Sequence, residues 1–198
     1  MSKRILEVKY PKTDDLLKRF AFIDNEILQE NVVITVQYIS FLVSLDLGYE
    51  LGGTIQSSAF KNIILLSASV AEGLINWKLH KMIEKQPDLK EKCCLRKPVY
   101  TGTRKICLDE TGSEIWAARK SEQIMPLSTE TKFNELIEYA KGVELFDDEL
   151  VAEAHKLRKA RNRVHPAGLE QVDDKYTKSH VDECFIAMGK IVNCIEKA

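Results

Sequence analysis

The stretch from Ser57 to Lys85 constrains the fold of this chain more than any other. Phe60, Ile63, Ile64, Ala68, Ala71, Leu74, Ile75, Leu79, Met82 and Ile83 recur at spacings of three and four, the period of a helix and not of a strand. Their apolar arc is too wide for a helix that covers a core from one side. Such a helix, capped at its start by Ser57 or Ser58, is expected in the middle of a bundle, with neighbours on more than one side. Glu72 falls on the same stripe as Leu65, Ala68, Ile75 and Leu79. A carboxylate there requires a partner, and an Arg of residues 147–166 is the expected one.

The neighbours are legible by the same periodicity. Thr13 is placed to cap a helix that carries Leu16, Leu17, Phe20, Ile23 and Ile27 inward. Residues 31–47 open with the β-branched run Val32-Val33-Ile34-Thr35-Val36, which propensity alone would make a strand. The apolar pattern continues without a break to Leu45, too long for a typical strand, so a helix stopped near Gly48 is expected. Ser128 or Thr129 caps a helix through Phe133, Leu136, Ile137 and Tyr139 to about Gly142. Thr177 or Ser179 starts the last one, with Val181, Cys184, Phe185, Met188, Ile191, Val192 and Ile195 inward.

Between 87 and 128 the character changes. Asp109-Glu110-Thr111-Gly112-Ser113 supplies turn chemistry between two alternating segments, which predicts a small β-hairpin near 103–118. This insertion combines basic residues with Tyr100 and Trp116. That combination can stack on and hold single-stranded nucleic acid, although scattered surface cations beside one packing Trp is the commoner meaning. The fold expected is therefore all-α: one up-and-down helical bundle over residues 1–198 with a hairpin insertion, without internal repeats or an interdomain linker.

Composition narrows the function classes. At 198 residues and 44 % apolar, the chain has material for one core. A formal net charge of −1 gives no global attraction to nucleic acid or to an anionic membrane, so any RNA contact must be local. The first fifteen residues contain no apolar core of signal-peptide length, and no run of about 18 uncharged apolar residues appears, so a cytoplasmic protein without membrane contact is expected. The five cysteines, Cys93, Cys94, Cys107, Cys184 and Cys194, form no CxxC pair and read as reduced structural thiols, with no metal site and no cofactor expected. The chain has no GxxxxGK[ST] loop, no HExxH and no GxSxG.

Residues 147–166, DDELVAEAHKLRKARNRVHP, carry the densest chemistry. Acids fill the first turn, cations the last turns, and Pro166 stops the helix, which is the polarity that the helix dipole favours. Five Lys or Arg and no acid lie between Ala154 and His165. On a wheel of about 100° per residue, Leu150, Ala154, Leu157, Ala160 and Val164 make the buried stripe, and Arg158, Arg161 and His165 share one edge of it. Lys156, Lys159 and Arg163 point to the far side, where they are candidates for nucleic-acid contact. His155 is expected in solvent, His180 without companions, and His80 as a cation at the end of the central helix. Arg158, Arg161 and His165 also read, more plainly, as helix-termination chemistry with an ion pair to Glu72.

The run Leu157-Arg158-Lys159-Ala160-Arg161-Asn162-Arg163-Val164-His165-Pro166 resembles the signature helix of HEPN-domain proteins, in which an Arg is followed by four to six residues and then a His. Six residues separate Arg158 from His165, and Arg161-Asn162 is similar to the family's Arg-polar pair. Glu72 in an Ala-rich helix upstream also resembles many HEPN sequences. The resemblance implies a HEPN-like bundle, paired as a homodimer, that cleaves RNA without metal in a composite cleft and leaves cyclic-phosphate ends. Arg158, Arg161, Asn162 and His165 would be catalytic, with Glu72 in support. The family often works in toxin–antitoxin or phage-defence systems, where a neutralising protein partner is common. A non-catalytic HEPN-like module that binds RNA or protein is the alternative.

Overall fold

The structure, a computed structural model, describes residues 11–49, 51–162 and 176–198. Among these residues are six α-helices and one two-stranded antiparallel sheet. In chain order they are α1 (Thr13–Arg19), α2 (Glu26–Tyr49), α3 (Gly53–Lys85), β1 (Cys94–Leu108), β2 (Glu114–Pro126), α4 (Phe133–Gly142), α5 (Asp148–Asn162) and α6 (Lys178–Lys197), with a short 3₁₀ turn at Pro87–Glu91. The helical, hairpin-bearing architecture is thus the one expected.

α3 lies in the middle. It packs against α2, α4, α5 and α6, and Ile63, Ile64, Ala68, Ala71, Leu74, Ile75 and Leu79 have no exposed surface. Burying such side chains contributes about 1.5–3 kcal/mol each for the large ones, before conformational entropy is set against it. Close approach shows at Gly73, where a Cβ would sit 3.7 Å from the Leu28 side chain of α2. α5 buries Leu150, Ala154 and Leu157, and α6 buries Val181, Cys184, Ala187, Ile191, Val192 and Ile195. Burial pushes the thiols of Cys93 and Cys184 up to about 11, so both act as small apolar packing groups.

Several boundaries differ from the sequence reading, each for a local reason. α1 ends at Arg19, and the helix expected to carry Ile27 inward is interrupted. Asn25 Oδ1 accepts the Leu28 N–H at 2.9 Å and starts α2 afresh, while Gln29 Nε2 donates to the Phe20 carbonyl at 3.0 Å. Ile27 consequently points to solvent, 75 % exposed. Thr13 does not cap α1; its hydroxyl accepts from Gln37 Nε2 at 2.9 Å. α3 begins a turn earlier than Ser57, whose hydroxyl accepts the Tyr176 N–H. α4 starts at Phe133 because Ser128 and Thr131 bond each other in a separate turn, the Ser128 N–H donating to Thr131 Oγ1 at 2.8 Å. His80 is not in the last turn of α3, which runs on to Lys85; its Nε2 is buried with no hydrogen-bond partner among the described residues.

α2 and α3 are both long and apolar enough to cross a membrane by length and composition. The most apolar window of α3 is 56 % buried, as a core helix is, and that of α2 is 22 % buried. The same test passes core helices of soluble proteins.

The hairpin is far longer than the segment 103–118 expected for it. Its turn is as the sequence indicates: Asp109 Oδ1 accepts the backbone N–H groups of Thr111 and Ser113, and Gly112 takes φ +81°, a conformation that L side chains rarely adopt. Lys97 reaches Glu135 of α4 at 3.2 Å at the hairpin's base. Beyond that base nearly every described side chain is exposed.

Candidate catalytic helix and its cationic surroundings

α5 is set by its ends and its apolar stripe. Asp147 Oδ1 accepts the Leu150 N–H at 2.8 Å, capping the helix. Leu150, Ala154 and Leu157 then face the core, which turns the Arg158 and Arg161 edge toward neighbouring helices.

Arg161 Nη1 lies 2.9 Å from Glu72 Oε2, joining α5 to the central helix. The Arg161 side chain remains 35 % exposed and that of Glu72 24 % exposed. Glu72 thus has the Arg partner that its place on an apolar stripe demanded. Such a pair fixes the guanidinium and leaves part of its donor fork facing water, where a phosphate can be bound.

Arg158 turns to a different partner. Its Nε–H donates to His155 Nδ1 at 3.4 Å, and His155 Nε2 lies 3.3 Å from Glu138 Oε1 of α4. These contacts are satisfied by the tautomer that carries its proton on Nε2, which donates to the carboxylate. His155 is therefore not out in solvent as the wheel suggested. α4 covers that side of α5, and the imidazole is 25 % exposed. This Glu138–His155–Arg158 chain was missed from sequence; the three-residue spacing of His155 and Arg158 was visible, but the approach of Glu138 depends on tertiary packing.

The two arginines are thus brought to the same edge but bonded differently. Arg161 is paired with a carboxylate, whereas Arg158 donates to the ring of His155. Lys156 and Lys159 lie exposed on the other flank, where they line a cleft of about 180 Å³ between α5 and α6 with Leu157, Ala160, His180 and Glu183. Lys156 pairs with Glu153 at 3.3 Å. His180 does have companions, contrary to expectation: its Nδ1 accepts the Thr177 N–H at 3.2 Å at the start of α6, within this cleft. Asn162 is exposed at the end of α5. Arg163, His165 and Pro166 lie outside the described residues. No group of three His, Cys, Asp or Glu suited to a metal ion occurs among the described residues.

Compared with known proteins, the chain matches no family model, no curated protein and no solved structure.

Proposed function

We propose that the chain is a HEPN-like, metal-independent endoribonuclease acting on RNA phosphodiesters. The observation that carries this reading is the Arg161–Glu72 bridge, which holds a guanidinium at the end of a cation-rich helix with part of its surface open to water. Cleavage needs a base for the 2′-hydroxyl proton, an acid for the departing 5′-oxygen, and a cation for charge gathering on phosphorus. His165 exchanges the proton. Arg161, oriented by Glu72, and Arg158 bind the phosphoryl oxygens, Asn162 orients phosphate or imidazole, and Lys156, Lys159 and Arg163 hold flanking phosphates. One imidazole does not serve as acid and base in the same turnover, so the reading places two copies together as a homodimer in the cytoplasm, with no cofactor and no membrane contact. A toxin or phage-defence role with a neutralising protein partner fits such an activity.

A second reading is a non-catalytic HEPN-like module that binds RNA or protein. What favours it is that Glu72 already neutralises Arg161.

The deciding experiment is cleavage of a mixed RNA pool in EDTA by the parent and by His165→Ala, Arg158→Ala and Arg161→Ala, with the product ends mapped. Cyclic-phosphate ends, lost in His165→Ala and reduced at least a hundredfold in an Arg variant, are expected from the size of acid–base and electrostatic contributions. Absence of cutting by an intact parent dimer sinks the nuclease reading in favour of the binding module.

A further inference from the structure

We propose that one face of the β1–β2 hairpin is a platform for single-stranded RNA, on which Tyr100 and Trp116 stack bases while Lys105, Lys120 and Arg96 meet phosphates. It rests on the RNA reading above but not on catalysis.

The ladder register places these groups. Across the hairpin, Arg96 pairs with Ile124, Tyr100 with Lys120 and Lys105 with Trp116. β2 steps without interruption from Ile124 to Trp116, so Ile124, Lys120 and Trp116 share a face, and their partners share it with them. Lys105 reaches this face only because β1 carries an irregularity between Thr101 and Arg104, where Gly102 adopts φ +62°. A regular strand would have put Arg104 there instead. Bulges commonly re-aim side chains in this way.

Both rings are open. Tyr100 is 60 % and Trp116 54 % exposed. The indole N–H donates to Glu114 Oε2 at 3.1 Å, which holds the ring by its edge. The two rows lie four residues apart along β2, about 13 Å. Between residues 94 and 126 six Lys or Arg stand against four Asp or Glu, in a chain that is acidic by one charge overall. Lys120 has no ion pair among the described residues and Arg96 meets Glu122 only at 3.8 Å, whereas Lys105 is paired with Glu114 and would have to exchange that carboxylate for a phosphate. A protein-binding centre needs contiguous apolar surface depleted of charge, whereas these aromatics alternate with cations, the pattern of a single-strand channel. A two-stranded ribbon bare on both faces is itself marginal without a partner.

The test uses the full chain and a labelled, unstructured 2′-O-methyl RNA, which a 2′-hydroxyl-dependent nuclease binds but does not cut. Anisotropy titrations should give roughly tenfold weaker binding for Tyr100→Ala and for Trp116→Ala, recovery in Trp116→Phe, and a log–log salt slope smaller by about one for Lys120→Ala. If the parent does not bind, or if the alanine variants bind as tightly as it does, the platform is disproved; the latter result would leave the exposed tip, with Leu108 and Ile115, to a protein partner. A parent that binds through the hairpin yet cuts no RNA would sink only the nuclease reading.

Discussion

The bundle and the hairpin are built on opposite terms. In the bundle, seven apolar α3 side chains, from Ile63 to Leu79, have no exposed surface. In the hairpin, backbone ladder bonds hold the strands, and Tyr100, Ile106, Leu108, Trp116 and Ile124 remain open to water. The first region is held by burial and tolerates little change in volume. The second spends almost none of its side chains on its own fold, which leaves them to something else.

The comparison is broken most directly by truncating one large side chain in each region. Leu74→Ala should cost about 2–5 kcal/mol by denaturant titration, because the rigid neighbours of α3 will not close the cavity. Trp116→Ala removes a larger side chain and should change stability by less than about 0.5 kcal/mol, since it is exposed. Comparable losses at the two positions would mean that the hairpin packs against a surface of the protein itself.

How far the sequence was legible follows the same division. The inward residues of α3, α4 and α6 were readable because burial imposes a helical period that nothing local overrides. The break between α1 and α2 was not, because Asn25 interrupts an apolar pattern that runs straight across it. The hairpin's turn was readable from Asp109 and Gly112, whereas its length was not, since exposed strands carry no burial pattern to mark their extent. At the site, the need of Glu72 for an Arg followed from its place among apolar neighbours. The placement of His155 did not, because a wheel drawn for α5 contains no information about where α4 lies.

The Glu72–Arg161 bridge joins the two kinds of chemistry, since it is half-buried in the bundle yet belongs to the proposed site. A double-mutant cycle with Glu72→Ala and Arg161→Ala should return a coupling of about 1 kcal/mol, in keeping with a partly exposed pair, and Glu72→Ala alone should lower the Tm by about 2–4 °C for a chain of this size. The coupling should shrink in high salt. A coupling near zero would mean that Glu72 does not fix Arg161, and the guanidinium would lose its assigned orientation.

The smallest effect concerns Glu153 on α5, which meets Lys156 at 3.3 Å and Lys190 at 3.4 Å. Burial alone would raise its carboxyl, but the two ammonium groups outweigh that and hold it below the usual value. A carboxyl depressed in the folded state favours folding above its unfolded pKa, about 4.3, and that contribution is lost as pH falls through the folded value. Glu153→Gln should therefore melt slightly below the parent at pH 7, by less than about 1 kcal/mol, with the gap closing as pH falls below about 4. Glu122→Gln, which removes the hairpin's exposed partner of Arg96, should leave the Tm at pH 7 unchanged. A gap for Glu153→Gln that survives unchanged at acid pH would assign its origin to packing instead of charge, whereas a gap for Glu122→Gln would show that the hairpin uses its side chains to stabilise itself after all.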